Sequence, residues 1–153
     1  MMQRLNPFEA APGAMKAFLD FSVGLGESGV EPGLAELVKI RSSQLNGCAH
    51  CIEMHTRDAR AAGETEERIY MLDAWRESSL YSDRERAALE WTEHLTLVSS
   101  RRAPDDAYEA LRAEFTAEEQ VKLTLLINVI NGWNRIAVGF GGASPVRVRR
   151  AAS

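Results

Sequence analysis

Residues 32–63 read PGLAELVKIRSSQLNGCAHCIEMHTRDARAAG, and this stretch decides the fold. Pro32 stands where a first-turn proline belongs, because its missing N–H is one that a helix start leaves unbonded anyway. Leu34, Leu37, Val38, Arg41 and Leu45 follow at helical spacing. Asn46-Gly47 breaks that helix. Cys48 begins another that runs to Ala62, with Gly63 as its natural C-terminal stop. Two helices joined by a short break form the predicted centre of the protein.

Working outward, the punctuation stays helical. Upstream, Pro12-Gly13 opens a segment with Met15, Phe18, Leu19 and Leu25 on helical spacing, closing between Gly24 and Gly29. Downstream, Thr65 with Glu66 and Glu67 starts a short helix through Ile69 and Leu72 that ends near Trp75. Ser82 with Glu85 three residues on is a capping box, each side chain satisfying the other's backbone N–H. It opens a helix with a predicted buried stripe of Ala87, Trp91, Leu95 and Val98. Pro104-Asp105 begins a brief helix to Glu114, with Tyr108, Leu111 and Phe115 as its apolar face. Thr116 and Glu119 form a second capping box. They open the last helix, through Val121, Leu125, Val129 and Trp133, which fades near the glycines at 139, 141 and 142. The tail with Arg147, Arg149 and Arg150 reads as a solvated end.

No stretch alternates β-branched and polar residues as a strand would. The expected fold is all-α: a single domain over residues 1–153, built as a bundle of six or seven helices. A composition of 45% hydrophobic and 26% charged residues excludes a disordered chain. With Lys+Arg 18 against Asp+Glu 22, the net charge of −4 argues against a nucleic-acid partner, since phosphate binding needs a basic face. No apolar run approaches the roughly 18 residues of a membrane span, so no membrane partner is expected. The N-terminus lacks a secretory pattern and two cysteines are too few for a disulfide framework, so a cytoplasmic location is expected. Leu123, Leu125, Leu126, Ile127, Val129 and Ile130 cover most of the last helix's circumference. A helix apolar nearly all round is buried on all sides, which in so small a domain favours a homo-oligomer.

Chemistry concentrates in Cys48-Ala49-His50-Cys51-Ile52-Glu53-Met54-His55. On a helix, Cys48 and Cys51 share a face with Cα atoms about 5 Å apart, inside disulfide range. His55 lies one turn past Cys51 on the same stripe, about 6 Å away, whereas Cys48 and His55 are about 10 Å apart along the axis. The imidazole therefore serves Cys51 first. A free thiol of pKa near 8.5 is only about 3% ionised at neutral pH, which an adjacent base or a helix N-terminus corrects. Structural zinc would need four ligands. The chain offers two cysteines with His50, His55 and His94, and His50 points roughly 100° away from the cysteine stripe. Two cysteines that merely pack are the other plain reading. A redox-active dithiol fits the paired spacing and in-register histidine better than either. There is no glycine-rich phosphate loop, and no metal or other cofactor is expected. His94 reads as a helix-edge histidine, Trp75 and Trp133 as core or interface anchors, and Glu53 and Asp58 as solvent-side charges.

With these residues in view, the sequence resembles the alkylhydroperoxidase D-like group of the carboxymuconolactone decarboxylase superfamily. The likeness rests on the box Cys48, Cys51 and His55, on Glu36 twelve residues before the first cysteine, and on the phrase from Leu37 to Gly47 between them. Its core covers residues 30–98. The flanks, Arg4 to Pro7 and Asp83 to Thr92, resemble single-domain bacterial members.

The resemblance implies an all-helical fold, a homo-oligomer (trimer or hexamer), a hydroperoxide substrate and an external thiol or dithiol reductant. Position by position it makes Cys51 the peroxidatic thiol, Cys48 the resolving thiol, and His55 and Glu36 a proton relay. Decarboxylating relatives lack the dithiol, which weighs against that reaction. From the residues alone, Cys48 lies nearer the helix N-terminus and Cys51 nearer the imidazole. Cys51 is favoured as the attacking sulfur because a base one turn away both ionises it and moves protons. Cys48, at the mouth of the helix, would meet the reductant. Glu36 lies on the preceding helix, and spacing alone does not bring it to His55. The alternatives are a non-enzymatic redox sensor or thiol-exchange adaptor, and a carboxymuconolactone decarboxylase-like proton transfer.

Overall fold

The computed structural model describes residues 4–26 and 29–141. Among them stand nine α-helices: α1 (Pro7–Ala10), α2 (Pro12–Gly26), α3 (Pro32–Asn46), α4 (Ala49–Ala61), α5 (Glu66–Tyr70), α6 (Asp83–Thr96), α7 (Val98–Arg101), α8 (Asp105–Glu114) and α9 (Ala117–Phe140). A 3-10 stretch, Met71–Glu77, continues α5. No strand occurs among the described residues, so the fold is all-α. The helix count exceeds the expected six or seven because two further four-residue helices form, α1 and α7. The arginine tail lies outside the described residues.

Helix α3 is the axis of the bundle. Its Leu34 and Val38 join Ala87 and Ala88 of α6, Leu111 of α8 and Leu123 and Ile127 of α9 in one core cluster. Leu37 and Ile40 point the other way, into a second cluster with Ala59 of α4, Leu72, Trp75 and Leu89. Truncating the fully buried Leu37 to alanine would cost about 2–5 kcal/mol by the usual sum of lost transfer energy and cavity. Both capping boxes form, Ser82 with Glu85 and Thr116 with Glu119.

Two expectations are corrected. The apolar circumference of α9 is covered within the chain. Leu123, Leu126, Ile127, Val129 and Ile130 are buried because α2, α3, α6 and α8 pack around the helix. Close approach is part of that cover: a Cβ on Gly132 would sit 2.8 Å from the Phe18 ring of α2. These central residues therefore give no argument for an oligomer; Leu125 is half-buried, and only Val121, Val138 and Phe140 toward the helix ends stand exposed among its large apolar residues. On α6 the buried residues are Ala87, Ala88, Leu89, Thr92, Glu93 and Thr96, while Trp91 and Leu95 are half-buried. Val98 is exposed, since α6 ends at Thr96 and Val98 starts a new helix.

A buried charge hub ties four elements together. Glu93 Oε1 accepts from Arg41 Nε at 2.8 Å and from Trp75 Nε1 at 2.8 Å. Its Oε2 accepts from Arg76 at 3.0 Å and from Arg101 at 2.9 Å. Burial opposes ionisation here, but the Trp75 and arginine donors overcome it and pull Glu93 down to about 2.

Candidate active site

The turn between α3 and α4 builds the dithiol. Gly47 takes φ 65°, a left-handed conformation suited to glycine, and closes α3 through its N–H. The next N–H, of Cys48, donates to the Ser43 carbonyl at 3.0 Å. Cys48 is the N-cap of α4 rather than its first residue, and its Sγ accepts the Cys51 N–H at 3.4 Å. A cysteine sulfur thus fills the position usually held by Ser, Thr, Asp or Asn. Cys48 and Cys51 are joined as a disulfide with Cα atoms 5.4 Å apart, close to the spacing helix geometry gives. Both are 2% exposed, so exposure does not single out Cys48 as the sulfur that meets a reductant. Cys51, His55 and Ala59 form the buried face of α4, which is the stripe the sequence implied.

Packing of α3 against α4 brings Glu36 to the histidine. Glu36 Oε2 lies 2.9 Å from His55 Nδ1, and its Oε1 accepts from Lys39 Nζ at 2.7 Å. Burial would raise the Glu36 carboxyl, but the hydrogen bonds from His55 and Lys39 outweigh that and hold it below the ordinary value. An ionised carboxylate has no proton to give, so Nδ1 donates to it. In the neutral ring Nε2 is then the acceptor nitrogen.

A polar network behind the turn has no counterpart in the sequence motifs. Asn46 Nδ2 donates to Asn131 Oδ1 at 2.9 Å and to Asn134 Oδ1 at 2.8 Å, across to α9. Asn134 Nδ2 returns to Ser43 Oγ at 3.0 Å, and Asn131 Nδ2 donates to Thr96 Oγ1 at 3.1 Å. Ser43, Thr96, Asn131 and Asn134 are buried. The available signal is Asn131 and Asn134 three residues apart inside an apolar helix, where unpaired amides would be costly.

The other singled-out residues stand apart from this cluster. His94, on α6, pairs with Glu90 and with the Arg102 carbonyl. Trp75 serves the Glu93 hub, and Trp133 packs against Phe18 at 4.6 Å between ring centroids. Glu53 and Asp58 are exposed, and Asp58 lines a cavity of about 250 Å³ whose wall also includes Glu36, Lys39, Leu25, Val30 and Leu126. Among the described residues no group of three or more His, Cys, Asp or Glu converges as metal ligands would.

Fold and site together define a helical dithiol protein with a histidine–glutamate pair behind the cysteines. Residues 12–94 match the profile of the carboxymuconolactone decarboxylase family, and the chain belongs to that family. The YdfG protein of Bacillus subtilis (strain 168) is 50% identical over 141 residues, 92% of this chain and 96% of that one. A solved structure of a protein of unknown function, ATU0492 from Agrobacterium tumefaciens, provisionally assigned to antioxidant defence as AhpD, is 44% identical. It superposes with a TM-score of 0.91, covering 95% of this chain and 99% of that one. A cysteine-to-alanine variant of the debrominase Bmp8, solved in complex with 2,3,4-tribromopyrrole, shares the fold at a TM-score of 0.80 and 16% identity, over 89% of this chain and 73% of its own. That likeness carries the fold alone.

Proposed function

We propose that the protein is a thiol-dependent peroxidase that reduces hydroperoxides at Cys48 and Cys51. The observation that carries this reading is the Glu36–His55 hydrogen bond on the face of α4 that also presents Cys51. Either chemistry gains from a base that ionises the sulfur, but only a peroxide releases a strongly basic alkoxide or hydroxide, which needs the proton that such an imidazolium returns. In the reduced protein, His55 takes the Cys51 proton, and the thiolate attacks the peroxide O–O bond. The sulfur is oxidised to sulfenic acid, and the leaving alkoxide recovers the proton from the imidazolium as an alcohol, or as water when the substrate is hydrogen peroxide. Cys48 then displaces water from the sulfenic acid, forming the Cys48–Cys51 disulfide. Two external thiols, or one dithiol, supply the two electrons and two protons that restore the pair and leave as a disulfide.

A homo-oligomer belongs to this reading through the family. It is supported by exposed Leu5 and Phe8 lying at the end of the fold where Arg4 reaches the Gly139 carbonyl, near exposed Val138 and Phe140. No helix among the described residues is long and apolar enough to cross a membrane.

The test is stoichiometric. Reduced protein mixed with an organic hydroperoxide should lose two thiols per peroxide consumed, far faster than a free thiol, and should turn over continuously once a dithiol reductant is added. Oxidation no faster than a free thiol would give the site to thiol exchange. Single oxidation without sustained turnover in any of several reductants would give it to sensing.

A further inference from the structure

The Glu36 carboxylate fixes which nitrogen of His55 carries the proton only while it stays ionised. Should Glu36 gain a proton, it becomes the donor to Nδ1, the tautomer inverts, and Nε2 carries a hydrogen where it must accept one. Something has to keep the acid ionised in a partly buried position. Lys39 lies one turn along α3, and its Nζ sits 2.7 Å from Glu36 Oε1, the oxygen that His55 does not use. The carboxylate therefore spans two donors, one on each oxygen. We propose that Lys39 is a positioning residue for the dithiol, holding Glu36 ionised and turned toward His55 so that Nε2 stays free for the Cys51 proton. This rests on the relay assigned under the proposed function.

The charged groups around Glu36 agree with that role. Lys39 approaches from α3 and His55 from α4, each by a direct hydrogen bond. Asp58 of α4 and Lys122 of α9 share the adjoining cavity wall. The Asp58 side chain is 52% exposed, which screens its charge, and Lys122 is engaged by Glu118 at 2.5 Å. Lys39 is the cation in contact with the carboxylate. An ordinary i,i+3 ion pair would adjust helix stability and leave the thiol chemistry alone.

The experiment uses the Cys48→Ser protein, in which Cys51 is the single thiol, and adds Lys39→Met or Lys39→Arg. The Lys39 side chain is 24% exposed, so both variants are compatible with the fold. Two readouts are taken against pH: the rate of Cys51 alkylation by iodoacetamide, and the 15N shifts of the His55 ring, which report tautomer. With Lys39→Met, the acid limb of the alkylation profile should move up by about 0.5–1 pH unit, a rate loss of about 3–10-fold on that limb. In the neutral ring the Nδ1–H tautomer should be less populated, because Glu36 is no longer held toward Nδ1. Lys39→Arg should restore both to within about twofold, because a guanidinium also holds a carboxylate ionised. Superimposable profiles and tautomers for Lys39→Met and its parent would overturn the proposal, as would an arginine variant that behaves like the methionine one. Neither readout involves peroxide. Failure of the peroxidase reading would leave the Lys39 effect intact, and failure of this inference would leave turnover intact.

Discussion

Glu36 Oε2 and His55 Nδ1 lie 2.9 Å apart although nineteen residues separate them along the chain. The contact exists because α3 and α4 pack closely around the Asn46-Gly47 turn, which folds the second helix back along the first. Replacing His55 by Gln should lower Cys51 oxidation at neutral pH by about 10²–10⁴-fold, the usual range for a general acid–base. Much of the loss should return above the ordinary thiol pKa of about 8.5, where no base is required. Glu36→Gln should give a smaller defect, since an amide can orient the ring but also offers it a proton. Because His55 and Lys39 hold Glu36 below its ordinary value of 4.5, the wild-type rate should lose its carboxylate-dependent part only beneath that pH. Stopped-flow oxidation across pH reads all three proteins, and identical profiles would remove the relay.

The two sulfurs should divide the work. Cys48→Ser keeps an oxygen acceptor at the N-cap for the Cys51 N–H, so α4 should stay formed. Peroxide should then leave a sulfenic acid on Cys51 that accumulates, trapped by dimedone and seen by mass spectrometry. Cys51→Ser should abolish fast oxidation altogether. The reverse pattern would mean that the helix terminus activates Cys48 and that the imidazole serves another step.

Local signals carry much of this structure in the sequence. Pro32, Gly47 and the boxes at Ser82 and Thr116 act within four residues of themselves, so their meaning survives without knowledge of the fold. The Cys51–His55 stripe is a single-helix property and is equally legible. The burial of α9 is not, because an apolar circumference says that partners exist but not whether they belong to the same chain. Arg41 sits on an apolar stripe, yet it is buried by Glu93, fifty-two residues away. The asparagine clamp joins residues eighty-five and eighty-eight apart, and no periodicity encodes such a pairing.

That clamp should matter to the turn that carries Cys48. Asn134→Leu removes one of the two acceptors of Asn46 and the donor to Ser43 Oγ. Leaving buried polar groups unpaired should cost about 1–3 kcal/mol, visible as a lower denaturant midpoint. Disulfide closure should slow more than sulfenic acid formation, because Ser43 also holds the Cys48 N–H through its carbonyl while the Cys51–His55 stripe lies within α4. Equal slowing of both steps would show the clamp to be general support for the bundle.

The Glu93 hub predicts how stability depends on pH. Its carboxyl is held at about 2 in the folded protein against 4.5 ordinarily, so the unfolded chain binds the proton more readily. The contribution is therefore present above about pH 4.5 and declines as pH falls toward 2, with a span of about 3.5 kcal/mol at about 1.4 kcal/mol per unit. Glu93→Gln should lower stability at neutral pH by up to about 3–5 kcal/mol, since it removes the buried anion facing Arg41 and leaves that guanidinium only the exposed carboxylate of Asp73. It should also flatten the acid limb of the stability curve, because no ionisation remains to be lost at that position. Urea unfolding of both proteins between pH 3 and 7 tests this. A constant gap across that range would mean that the neutral hydrogen bonds of residue 93, rather than its charge, hold Arg41, Trp75, Arg76 and Arg101 together.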